Sequence, residues 1–123
     1  MTDAPHPRTR QEVLSDLVTF KGGVFTTVRE LSGFPWDSSE ELVELTGAQA
    51  ADVLERYVSD DISARELEAW ADALEGRDDV SYEGEREDAI KDLLFELANP
   101  DIMGPATADR AQQWIARLRS PAT

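Results

Sequence analysis

The 123 residues are enough for one domain, and 41% hydrophobic against 31% charged is a globular composition that can bury a core without cross-links. There is no cysteine, which excludes disulfides, thiolate nucleophiles, zinc ribbons and iron–sulfur ligation. The 26 acids outnumber the 12 bases to give a net charge of −14, which disfavours direct contact with nucleic-acid phosphate or an anionic membrane and favours a basic partner. Adaptation to high salt would produce the same acidity.

The opening MTDAPHPRTR carries no apolar run behind it and does not read as a secretory signal. No segment reaches the roughly 20 apolar residues of a membrane helix, so a cytoplasmic protein is expected. Residues 1–8, with Pro5 and Pro7, read as a disordered lead, and residues 9–120 as a single helical domain. From Thr9 onward, Val13, Leu14, Leu17 and Val18 have helical spacing, broken at Gly22-Gly23. Val24, Val28 and Leu31 then recur at i, i+4 and i+7. The β-formers on both sides of Gly22-Gly23 support a rival short hairpin over residues 17–28. Two short helices are preferred, because an isolated hairpin is marginal and the downstream chain is helical.

Phe34, Pro35, Trp36 and Asp37 read as a turn, with Trp36 the tryptophan most suited to an exposed contact. Asp37 or Ser38 can cap a short helix running through Leu45, with Glu40 and Glu41 in its first turn. Thr46 with Gln49, and Ser63 with Glu66, match capping boxes. The helix after the first box turns Ala50, Val53, Leu54, Tyr57 and Val58 to one side. The helix after the second buries Leu67, Trp70, Ala71 and Leu74, with Gly76 as its stop. Residues 77–85 read as a polar loop. Ile90, Leu93, Leu94 and Leu97 mark a helix over 86–98, ended at Asn99-Pro100. Met103-Gly104-Pro105 is a connector, and Thr107 caps a last helix with Ala111, Trp114, Ile115 and Leu118 inward. The expected fold is an all-α bundle of five to seven helices.

The chemistry available is narrow. His6 is the only histidine, so a serine or threonine nucleophile lacks an imidazole base, and Gly22-Gly23 lacks the pattern of a phosphate loop. Counted from Asp79, oxygen side chains occupy positions 1, 3, 5 and 9 of a calcium loop and Gly84 position 6, but Ile90 stands where the bidentate glutamate belongs. No catalytic residue, cofactor or metal is expected.

The acids are unevenly placed: residues 1–59 carry net −5, residues 60–101 net −11 and residues 102–123 net +2. The candidate partner-binding residues are therefore Asp60, Asp61, Glu68, Asp72, Glu75, Asp78, Asp79 and Glu83. Asp88, Asp92 and Glu96 form a second polar stripe at i, i+4 and i+8, and Arg77 and Arg86 read as weak surface charge partners. Nearly every acid is expected on the wet side of its helix.

At VLERYVSDDISARELEAWADALEGRDDV and ELANPDIMGPAT the chain resembles a set of small, functionally uncharacterised bacterial all-helical proteins, over roughly residues 34–118. Its YVSDDISARELEAW is also similar to the start of colicin-type immunity domains, which share a short acidic turn before an Ile-Ser-Ala-x-Glu helix start. That resemblance implies a toxin-neutralising protein that covers the basic active site of a nuclease. It would carry Asp60, Asp61, Glu66 and Glu68 over as contact residues. The reading is thus a non-catalytic acidic protein-binding module that blocks a basic partner by phosphate mimicry. The competing classes are a small carboxylate enzyme using a divalent metal, and a cytoplasmic structural or assembly protein whose acidity serves solubility alone.

Overall fold

The computed structural model describes residues 9–34, 41–75 and 77–120. The lead over 1–8, Trp36, the Asp37 or Ser38 cap and the Gly76 stop lie outside the described residues. Helix α1 (Arg10–Thr19) begins at a capping box of Thr9 and Glu12. Helix α2 (Val24–Leu31) follows, then strand β1 (Val43–Leu45). Both expected boxes form: Thr46 with Gln49 opens α3 (Gly47–Val58), and Ser63 with Glu66 opens α4 (Ala64–Leu74). Strand β2 (Val80–Tyr82) and a 3-10 turn (Gly84–Arg86) lead into α5 (Glu87–Ala98). The short α6 (Pro100–Met103) precedes α7 (Ala108–Arg119), capped by Thr107 as expected. The fold is mostly helical, with seven α-helices among the described residues.

The preferred pair of short helices forms around Gly22-Gly23 in place of the rival hairpin, and two further expectations are corrected. Residues 17–28 form no hairpin: α1 closes at Phe20, which takes the left-handed conformation (φ 55°), and α2 starts at Val24. Phe20 is held there by Arg56, which donates from Nη1 to the Phe20 carbonyl at 2.7 Å and lies over its ring at 4.9 Å. A non-glycine residue in this region is unfavourable unless its surroundings over-determine it, and here they do.

The helix expected through Leu45 is instead a strand from Val43, and the loop expected over 77–85 contains its partner. The two pair in parallel, Val43 with Val80, Glu44 with Ser81 and Leu45 with Tyr82. β-branched and aromatic residues suit such a pleated, half-buried ladder, and the two intervening helices supply the crossover that parallel strands require.

Trp70 sits in the core with no exposed surface, and its indole nitrogen donates to the Leu17 carbonyl at 2.8 Å. That carbonyl, in the last turn of α1, also accepts the Phe20 N–H at 3.1 Å, so the indole takes its second lone pair. Leu14, Leu45, Leu54, Leu67, Leu74, Ile90 and Leu93 are fully buried around it. Helix α7 packs along α3, and α5 along α4. Trp114, expected in the core, is half-buried against it, and its indole donates to Glu96 at 2.8 Å. Among the described residues no helix is long and apolar enough to cross a membrane.

Candidate functional site

The β1–β2 pair anchors the most acidic part of the chain. Leu42 and Val43 donate to the Asp79 carbonyl at 2.8 and 3.3 Å, and Glu83 donates to the Leu45 carbonyl at 3.0 Å. What precedes and follows β2 is thereby held against the core rather than left as a free loop.

Asp79 is the largest departure from the expected surface. Its side chain is 0% exposed and receives Arg10 Nε at 2.8 Å on one oxygen and Arg77 Nε at 2.8 Å on the other. Arg77 Nη2 adds a third donor at 3.1 Å. The two guanidinium groups are themselves 15% and 6% exposed, so Arg77 is a buried partner and not a weak surface one. Burial pushes the Asp79 carboxyl upward, but the hydrogen bonds and charges of Arg77 and Arg10 outweigh it and hold the group below its ordinary range. Asp79 is thus a structural residue and is withdrawn from the partner-facing set.

Glu83 is also engaged internally. It accepts the backbone N–H of Gly47 at 2.9 Å, placing a carboxylate at the positive end of α3. Arg86, read as a surface partner, reaches the other end of the neighbouring helix and donates to the carbonyls of Arg117 (3.2 Å) and Ser120. Gly47 permits this, since a Cβ there would stand 2.5 Å from Arg86 Cδ.

The basic tail of the chain is spent on other acids. Arg110 pairs with Glu96 at 3.0 Å, Arg117 approaches Asp92 at 4.0 Å, and Arg119 bridges Asp52 (2.7 Å) and Glu55 (3.0 Å). The expected stripe of Asp88, Asp92 and Glu96 therefore turns its last two members to α7.

The remaining candidates lie in sequence along α4. Asp60 and Asp61 are exposed in the turn before it, Asp61 paired with Arg56 at 2.6 Å. Glu68 and Asp72 follow at i and i+4 on one side of α4, whose 11 residues span about 16 Å, and Glu75 stands at its C-cap in an extended conformation. Asp78 lies just beyond and is exposed. Glu68, Asp72, Glu75 and Asp78 make no ion pair among the described residues. The cation on the ridge, Arg65, lies over the Phe25 ring at 5.6 Å.

Glu75 and Asp78 open onto a cleft of about 530 Å³. Glu41 and Glu87 add carboxylates, and Val80, Tyr82 and Leu94 add apolar and aromatic surface. Lys91 also lines it but is paired with Glu87 at 2.9 Å. Tyr82 titrates above its ordinary range, first because it is buried and then because Glu75 and Glu87 disfavour a second negative charge nearby. Glu41, Tyr82, Glu87 and Lys91 were not among the sequence-derived candidates. Only Tyr82 left a local signal, the short alternation of Val80 and Tyr82 between turn residues, and Glu41, Glu87 and Lys91 left none.

Among the described residues no group of three histidine, cysteine, aspartate or glutamate side chains could hold a metal ion. The apparent calcium loop is broken apart by β2 and by the arginines on Asp79. Comparison of the chain with protein-family models, with curated proteins and with solved structures finds no match.

Proposed function

We propose that this protein is a non-catalytic module of the cytoplasm that binds a basic protein through the α4 ridge, as an immunity- or antitoxin-like inhibitor of a nuclease. One observation carries the reading. Glu68, Asp72 and Asp78 face solvent and Glu75 is half-buried beside them, all without ion pairs among the described residues, while Arg10 and Arg77 turn inward to Asp79. The most acidic part of the chain therefore keeps a row of uncompensated carboxylates along α4 and just beyond its end. Carboxylates at fixed spacing on a helix can occupy phosphate positions in a basic cleft, with association accelerated by long-range attraction. The resemblance of YVSDDISARELEAW to immunity domains points to the same class of partner.

The test uses the product of a nuclease or toxin gene adjacent to the one encoding this chain. The full chain is expected to inhibit that enzyme stoichiometrically in low salt. The quadruple substitution Glu68→Gln, Asp72→Asn, Glu75→Gln and Asp78→Asn should slow association by about tenfold or more, with the wild-type rate falling steeply as salt rises. Inhibition and association that ignore both the substitutions and the salt would refute the proposal.

A further inference from the structure

We infer that the cleft beside β2 is the specificity pocket of this face and receives one arginine side chain from the basic partner. The inference rests on the acidic-ridge reading and adds to it a particular ligand and a particular place. The ridge is an array of charges and would attract any cationic surface. The cleft is different, because it joins two chemistries in one concavity. Half-buried Tyr82, backed by the buried Val80 and Leu94, provides an aromatic wall, while Glu41, Glu75 and Asp78 provide carboxylates without ion pairs among the described residues.

An arginine or lysine side chain has the matching division, an apolar stem carrying a cationic head. Arginine is favoured over lysine because its planar guanidinium both stacks on aromatic side chains and bonds carboxylates in pairs. At about 530 Å³ the cleft falls in the ordinary range for ligand pockets, roughly 300–1,000 Å³. The cations already in the lining do not fill this role. Arg77 is committed to buried Asp79, and Lys91 is held by Glu87 on the α5 side. The wall is also pre-organised, because Val80 and Tyr82 are fixed by the ladder to β1. A side chain docking there need not order the site first.

The experiment is a two-dimensional amide NMR titration of the full chain with three capped pentapeptides, Gly-Gly-Xaa-Gly-Gly, in which Xaa is arginine, lysine or neutral citrulline. Saturable shifts from the arginine peptide, centred on residues 75, 78, 80–82 and 94, are expected. Lysine should bind more weakly and citrulline not measurably. The Glu75→Gln, Asp78→Asn double variant should weaken the arginine peptide about fivefold or more, whereas the exposed Asp101→Asn with Asp109→Asn should leave it unchanged. Shifts spread evenly along Glu68 and Asp72, and untouched by the cleft variant, would overturn the pocket but leave the ridge as a binding face. Equal binding of citrulline, or no shift with any peptide, would also overturn it, while the nuclease assay repeated with Glu68→Gln and Asp72→Asn alone, neither of which lines this cleft, judges the ridge.

Discussion

Asp78 and Asp79 are adjacent in the chain and opposite in the structure. Asp78 is exposed at the mouth of the cleft, and Asp79 is sealed between two guanidinium groups, one of them from the first turn of α1, 69 residues away. The same division runs through the whole acidic segment. Glu83 caps α3 and Glu96 clasps α7, while Glu68 and Asp72 stay in water and Glu75 lines the cleft. A run of carboxylates is therefore a mixture of structural and available charges, and the arginines sort one from the other. Negative charge left over after that sorting is the charge a partner can use.

The sharpest way to break this contrast is to remove both carboxylates in turn. Asp79→Ala should lower stability by about 3–5 kcal/mol, because it strands two largely buried guanidinium groups without a counter-charge. Urea denaturation measures it, and a loss near that of a surface substitution would show that the Arg10–Asp79–Arg77 junction is not a structural joint.

Glu83→Ala should cost about 1 kcal/mol, the usual value of a lost cap at a helix start. If it instead weakened partner binding without changing the urea midpoint, Glu83 would belong with the available charges.

Acid titration reads the same junction. The folded-state Asp79 carboxyl titrates below its ordinary value of 3.8, so its contribution is complete above that value and is lost as pH falls through the lowered one. The Asp79→Asn variant should therefore show a shallower fall of stability with acidification below about pH 4 than the wild type. Parallel curves would contradict the assignment.

The smallest effects belong to the open side. Asp78→Asn should change stability by no more than about 0.5 kcal/mol. Glu75→Gln should bring the Tyr82 hydroxyl part of the way down toward its ordinary value of 10.0, since Glu75 is the larger of the two charges raising it, although burial remains the chief cause. Tyrosinate absorbance in a Tyr57→Phe background isolates that titration. An unchanged Tyr82 would place Glu75 too far from the cleft to act with it.

Much of the fold was legible in short-range pattern. The Thr46–Gln49 and Ser63–Glu66 boxes, the Thr107 cap and the apolar faces of α3, α4 and α5 follow from residues three or four apart, which see one another within a single helical turn. The strands were missed because each is three residues long and is stabilised by the other, 37 positions away in register. Residues 42–45 alone look as helical as extended. The site was legible in part: Glu75 and Asp78 were named, but Glu41, Tyr82, Glu87 and Lys91 reach the cleft only when β1 and β2 pair and α5 closes against α4.

By itself the sequence determined the helical class, the helix starts, the apolar stripes, the lack of thiol and imidazole chemistry and the size of the negative charge. Each of these depends on composition or on neighbours along one turn. The tertiary structure decided which carboxylates are spent and which remain. That outcome depends on where Arg10, Arg77, Arg86 and the arginines of α7 arrive after folding. Charge pairing falls off over a few ångströms in space, and for residues more than a helical turn apart, such as Arg10 and Asp79, separation along the chain does not reveal it.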